Sequence, residues 1–175
     1  MTVSVAEAAR TLESRGQLKR ERFDHSERII PHVAELASRP LPVDLADFYR
    51  VCIWDVGGFR ATPPTWNAHV GWIKRNCVID WLLPGGAIPI FSDGCGNLFG
   101  VDLLSQTDHP AVYFFDHEDG WEKPAYAAGS SIGTFLLLLA EHDVALEEKR
   151  PAGWELTIDP DLDKCPRAPP IWLAG

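Results

Sequence analysis

His117 stands between Asp116 and Glu118, and an imidazole flanked by carboxylates is raw material for acid–base or metal chemistry. The order of the three residues argues against such a use. At the end of a strand, adjacent side chains point to opposite faces, so Asp116 and His117 do not easily act on one atom. A regular metal site also needs further ligands at suitable spacing. Cys95 lies in Gly94-Cys95-Gly96 with no basic residue beside it in sequence to favour the thiolate. The same glycines suggest a phosphate cradle, but that device needs a strand leading into a helix, and here a strand pattern follows. Asp93 and Asp102 complete the acid–base candidates, and Ser131 sits in no Gly-x-Ser-x-Gly elbow. The residues predict no catalytic site, no metal and no cofactor. What remains is binding, by a protein-binding module, by a small-molecule- or peptide-binding accessory domain with a concave sheet face, or by a scaffold in an intracellular assembly.

The elements that position these residues are legible in residues 88–103 and 111–118. Ser92-Asp93-Gly94-Cys95-Gly96-Asn97 is dense in residues that accept positive φ, as a hairpin turn requires. After it, Phe99, Val101 and Leu103 alternate with Leu98, Gly100 and Asp102, and then Val112 and Phe114 alternate with Tyr113 and Phe115. Residues 87–116 are thus predicted to form consecutive antiparallel strands. Apolar groups on both sides predict a sheet covered on both faces.

Helices are expected around this sheet. One spans residues 3–23. A second covers 31–38, with Pro31 in the first helical position. A third starts at Leu41-Pro42, carries Leu45, Phe48, Tyr49 and Cys52 on one side, and ends at Gly57-Gly58. The last runs from Ser131 to Arg150 on an Ile132, Phe135, Leu136, Leu139 stripe, with Lys149 and Arg150 suited to its C-terminal dipole. Residues 59–84 read as mixed structure: Trp66, Val70 and Ile73 fit a helix, whereas Trp66, Ala68 and Val70 fit a strand. Beyond Pro151 the chain is rich in Pro and Asp, yet Trp154, Leu156, Ile158, Ile171 and Trp172 suit an arm folded back on the body, with a short strand at 155–158.

The hairpin and the Asp-His-Glu strand end also carry a resemblance. Ile88-Pro89-Ile90, Ser92-Asp93-Gly94, Gly96-Asn97, Val101-Asp102-Leu103 and Val112-Tyr113-Phe114-Phe115-Asp116-His117-Glu118 resemble the SUKH superfamily, in particular its Smi/Knr-type branch of cell-wall assembly regulators. Leu41-Pro42 with Leu45, Phe48 and Tyr49, and Ser130-Ser131-Ile132 with Phe135-Leu136, are similar to the helices that flank the sheet in that family. One position departs: many members have Asn-Gly-Gly after the first of these helices, where this chain has Asp55-Val56-Gly57-Gly58. The resemblance covers residues 29–146. It implies an α+β fold, an antiparallel sheet with helices packed around it; the domain is expected to span residues 1–150, followed by the extended arm of 151–175. The resemblance implies no enzymatic activity. Bacterial members are mostly regarded as immunity proteins that neutralise toxins, many of them nucleases, and fungal members as interaction scaffolds.

Charge narrows the partner. The chain has 175 residues and a net charge of −9, and residues 76–122 contain no Lys or Arg. That stretch carries Asp80, Asp93, Asp102, Asp108, Asp116, Glu118, Asp119 and Glu122. Such a surface repels phosphate backbones, which argues against direct nucleic-acid binding, and attracts a basic protein. A merely solvated acidic face is the alternative. The expected contact patch is Asp93 and Asn97 on the hairpin turn with Asp116, His117, Glu118, Asp119, Trp121 and Glu122 at the strand exit. Trp121 is either the aromatic anchor of that patch or a loop residue folded onto the core. Cys52, Cys77, Cys95 and Cys165 form no Cys-x-x-Cys pair. The start of the chain lacks a signal-peptide pattern, and no apolar run approaches the ~18–20 residues of a membrane span. These features predict a cytoplasmic protein with reduced thiols and no membrane contact.

Overall fold

The structure, a computed structural model, describes residues 3–20, 25–61, 66–76, 86–121 and 123–169. The elements run α1 (Val5–Ser14), β1 (Leu18–Arg20), α2 (Ser26–Leu36), α3 (Val43–Val51), β2 (Ile53–Val56), β3 (Phe59–Ala61), α4 (Trp66–Asn76), β4 (Ala87–Ser92), β5 (Leu98–Asp102), β6 (Val112–Phe115), β7 (Tyr126–Gly129) and α5 (Ile132–Glu147). Two 3-10 turns follow, Trp154–Thr157 and Leu162–Lys164. Among the described residues the strands form one antiparallel sheet in the order β1 to β7, so the fold is α+β as the sequence predicts.

The register of β5 shows why both faces of the strand are apolar. Gly100 pairs with Tyr113 and Leu98 with Phe115, while Phe99 pairs with Phe114 and Val101 with Val112. The Phe99 side meets the helices: its ring lies 5.1 Å from Phe135 of α5. On the same side Phe91 lies 5.8 Å from Phe48 of α3 and 5.6 Å from Phe135. The Tyr113 side receives the C-terminal arm, with the Arg167 guanidinium 5.4 Å above the Tyr113 ring. Asp102, only 3 % exposed, holds Arg167 Nη1 at 3.1 Å. Gly100 is small for a reason: a Cβ there would stand 3.0 Å from the Phe115 ring.

Several boundaries differ from the sequence reading, each with a local cause. The helix expected over 3–23 stops at Ser14. Gly16 turns the chain at φ +69°, and Leu18 to Arg20 pair with β2 instead. α1 begins on a capping box, in which Ser4 Oγ accepts the Glu7 N–H and Glu7 accepts the Ser4 N–H. α2 starts five residues before Pro31 and runs through it. Burial of Ile29 and Val33 on one face outweighs the donor that proline lacks. Gly57-Gly58 does not end α3, which stops at Val51 with Cys52 left-handed at φ +55°. Those glycines, at φ +57° and +90°, form the two-residue turn between β2 and β3. The ambiguous stretch resolves into β3 and α4, with residues 62–65 and 77–85 outside the described residues. α5 ends at Glu147, short of Lys149 and Arg150. The strand expected at 155–158 is a 3-10 turn, and β7 was not anticipated at all, because Tyr-Ala-Ala-Gly has little strand character.

Candidate interaction site

The hairpin tip between β4 and β5 is built on one aspartate. Asp93 Oδ1 accepts the N–H groups of Cys95 at 2.8 Å and Asn97 at 3.2 Å. Gly94 and Gly96, at φ +82° and +109°, supply the left-handed turns this requires. Asn97 Nδ2 then donates to Asp93 Oδ2 at 2.6 Å, which fixes the amide orientation. The other end of the amide, Oδ1, faces the exit of β6. It accepts the His117 N–H at 3.0 Å and lies 2.7 Å from His117 Nδ1. An amide oxygen only accepts, so this contact places a proton on His117 Nδ1. The imidazole rests on Gly96, whose absent Cβ would lie 3.4 Å from the ring.

Asp93, Asn97 and His117 therefore form one hydrogen-bonded unit joining the tip to β6. Asp116 flanks it, accepting the Glu118 N–H at 2.9 Å. One sequence argument fails here. β6 ends at Phe115, so strand alternation stops short of the triplet, and Asp116 Oδ1 lies 3.8 Å from His117 Nδ1. Glu118 and Asp119 are exposed in the following turn. Trp121 is partly buried and packs against the core. Glu122 lies outside the described residues. Asp102 is remote from the tip, at the other end of β5, where it serves the fold through Arg167. The Cys95 thiol is exposed on the turn. Among the described residues, no group of three or more His, Cys, Asp or Glu is placed to hold a metal ion. What the tip offers is a set of acceptors: carboxylates around an imidazole, suited to a donor-rich, cationic surface.

A second polar pair escaped the sequence reading. Asp44, in the first turn of α3, is 1 % exposed, and its Oδ1 lies 3.0 Å from Nδ1 of the exposed His109 on the β5–β6 loop. The Asp44 N–H also donates to the Asp108 carbonyl at 3.1 Å, so this loop is tied to the helix start. The signal was the acidic residue two places after Pro42; its partner, distant in sequence, carried none. Burial pushes the Asp44 carboxyl above the ordinary aspartate value of 3.8, against the His109 hydrogen bond, which pulls it down. The folded chain thus holds this proton more tightly than the unfolded one. Its contribution to stability is fully present below the unfolded value and fades as pH rises through the raised folded value. In urea titrations across acid pH, the stability of the natural chain relative to Asp44→Asn is expected to fall as pH rises through that window. A pH-independent difference would show that Asp44 is not desolvated.

Near His109, a cleft of about 200 Å³ is lined by Tyr113, Ser130 and Cys165 among others. Burial, reinforced by Asp159, Asp161, Asp163 and Asp102, pushes the Cys165 thiol up to about 12. Burial likewise pushes Tyr113 up to about 12. Both groups stay protonated at neutral pH, which denies the cleft a thiolate or phenolate nucleophile.

A SUKH family model described as SMI1-KNR4 cell-wall matches residues 42–131, just over half of the chain. The chain belongs to the SMI1-KNR4 family. Its matched region opens at Pro42, the N-cap of α3, and closes at Ser131, the N-cap of α5. That span encloses β2 to β7, the Asp93–Asn97–His117 unit and the Asp44–His109 pair, whereas α1, α5 and the arm lie outside it. SMI1-KNR4 proteins are generally non-catalytic and point to protein–protein interaction. Neither a curated protein nor a solved structure matches the chain. Among the described residues, no helix is long and apolar enough to cross a membrane.

Proposed function

We propose that this SMI1-KNR4 chain is a non-enzymatic protein-binding module, an immunity protein that neutralises a cognate toxin in the cytoplasm by occupying its basic surface. The observation that carries this reading is the coincidence of two features: a run of residues, 76–122, without Lys or Arg, and a hairpin tip fixed by Asp93, Asn97 and His117 beside exposed acids. A nuclease toxin is basic where it grips nucleic acid, so an acidic inhibitor fits the same surface. The contact patch is Asp93, Asn97, Asp116, His117, Glu118, Asp119, Trp121 and Glu122. The cell-wall description of the family favours a second reading, an intracellular interaction scaffold whose partner is not a toxin.

Co-expression with the product of the adjacent gene, followed by purification of a complex, separates the two readings, since a large secreted toxin as neighbour supports immunity. In the complex, reversing Glu118, Asp119 and Glu122 to Lys is expected to slow association and weaken binding while the fold persists, because Glu118 and Asp119 are exposed and such charges add little to stability. Attraction should fade with salt as the Debye length drops from ~30 Å at 0.01 M to ~10 Å at 0.1 M. If Trp121 anchors the patch as well as packing on the core, Trp121→Ala is expected to raise the off-rate and cost about 2 kcal/mol or more of affinity. An affinity indifferent both to the triple reversal and to salt would remove the electrostatic basis of the proposal.

A further inference from the structure

Among the described residues the sheet ends at β1 and β7, and these two edges are treated differently. β1 protects itself: it has three residues, Lys19 and Arg20 are exposed, and its register with β2 shifts between them. A short, charged, irregular strand is a poor template for another chain. β7 is also short and its register with β6 shifts between Val112 and Tyr113, but it lacks the charges of β1. Residues 124–129, Pro-Ala-Tyr-Ala-Ala-Gly, carry no charge. Among the groups on this edge are the Ala127 N–H and the Gly129 carbonyl. Both are taken by the arm. The Ala127 N–H donates to the Pro169 carbonyl at 2.6 Å, and Cys165 Sγ lies 4.0 Å from the Gly129 oxygen. Between these contacts Arg167 reaches across the sheet to Asp102 at 3.1 Å and covers Tyr113. Pro166 and Pro169 have no N–H, so the arm accepts from β7 yet gives a further strand little to pair with.

We propose that residues 165–169 terminate the sheet, and that the edge they close is one on which a second copy of this chain pairs, β7 against β7, when the arm is lifted. An antiparallel pair of identical strands is self-complementary about a two-fold axis, and an uncharged strand meets its own copy without like-charge repulsion. This inference stands apart from the toxin reading, because it concerns the edge opposite β1 and none of the proposed contact residues.

The test uses the full chain with its thiols kept reduced. Hydrogen exchange at the Ala127 amide reports the closed edge, and sedimentation velocity over a range of concentrations reports self-association. The natural chain is expected to be monomeric with a protected Ala127 amide. Pro166→Gly with Pro169→Gly loosens the arm without uncovering a buried charge, and Arg167→Ala cuts its anchor. Each is expected to speed Ala127 exchange about tenfold or more and to give a mass that rises with concentration towards the dimer. Adding Tyr126→Lys, which places a charge on the edge, should leave exchange fast and restore the monomer. Should Arg167→Ala fail to fold, the double-glycine chain carries the test alone. Unchanged Ala127 exchange in that chain overturns the role of the arm, and fast exchange without self-association overturns the pairing edge.

Discussion

Replacing Gly133 by alanine is expected to destabilise the protein, although alanine is the better helix former. Gly133 lies in the first turn of α5, and a Cβ there would stand 2.0 Å from the Val3 carbonyl oxygen and 2.8 Å from its carbon. No rotamer relieves a clash with backbone. The segment ahead of α1 must move, and it carries the Ser4 cap of a helix whose Val5, Ala8, Ala9 and Leu12 are fully buried. Helix preference returns about 1 kcal/mol, whereas forced displacement in a packed interior costs about 3 kcal/mol, so the clash wins by about 2 kcal/mol. Gly71→Ala in α4 is the control. Its nearest neighbour is the Arg75 side chain at 3.7 Å, an ordinary contact, so there the propensity gain should appear unopposed. Urea denaturation of both variants measures the contrast. A stabilised Gly133→Ala chain would mean that α1 does not dock against α5 as described.

Asp159→Ala is expected to cost more, about 3 kcal/mol. This arm residue is 1 % exposed, and its carboxylate accepts the Ser130 N–H at 2.6 Å, the Ser130 hydroxyl at 2.5 Å and the Thr134 hydroxyl at 2.9 Å. It thus supports the start of α5 from outside, beside the reciprocal Ser131–Thr134 cap. Truncation removes the acceptor of two part-buried Ser130 donors and of the buried Thr134 hydroxyl, which keeps the Ser131 carbonyl at 3.2 Å, and each hydrogen bond to a charged group contributes about 1.5–3 kcal/mol, with strong overlap among the three. Asp159→Asn should be milder. An asparagine oxygen still accepts from the Ser130 amide, and its nitrogen can donate to a hydroxyl. Thermal unfolding of the three chains should therefore rank natural, Asn, Ala. If Asn and Ala are equally destabilised, the negative charge, not the hydrogen-bond pattern, is the stabilising feature.

The sheet centre was legible because its residues act locally. Alternation through Leu98, Phe99, Gly100, Val101 and Asp102 sets the faces, and the Asp93 to Asn97 turn sets the hairpin without help from distant parts. Asn97 and His117 were both marked in the sequence, one in the turn and one at the strand exit, but their contact follows only from the pairing of β5 with β6. What stayed hidden depended on partners far along the chain. β1 exists because Val56 and Asp55 offer it a ladder, and β7 because Tyr113 and Phe114 do. Neither Leu-Lys-Arg nor Tyr-Ala-Ala-Gly declares a strand alone. Asp44 and His109 are 65 residues apart and meet only once the β5–β6 loop crosses the start of α3. Asp102 looked like an acid–base candidate because nothing in the sequence places Arg167 above it.

The strict strand order of the sheet also bears on how the chain is made. A meander from β1 to β7 needs no strand to be inserted between two others, so it can assemble hairpin by hairpin in the order of synthesis. Its helical cover does not arrive on the same schedule. Phe48 is synthesised before Phe91 and Phe99, but Phe135, which touches both of those rings, comes after the last strand. A nascent chain halted after β7 would present a finished sheet with part of its aromatic face bare, the kind of surface that chaperones bind. The demand on cellular quality control would then peak in the brief interval before α5 leaves the ribosome.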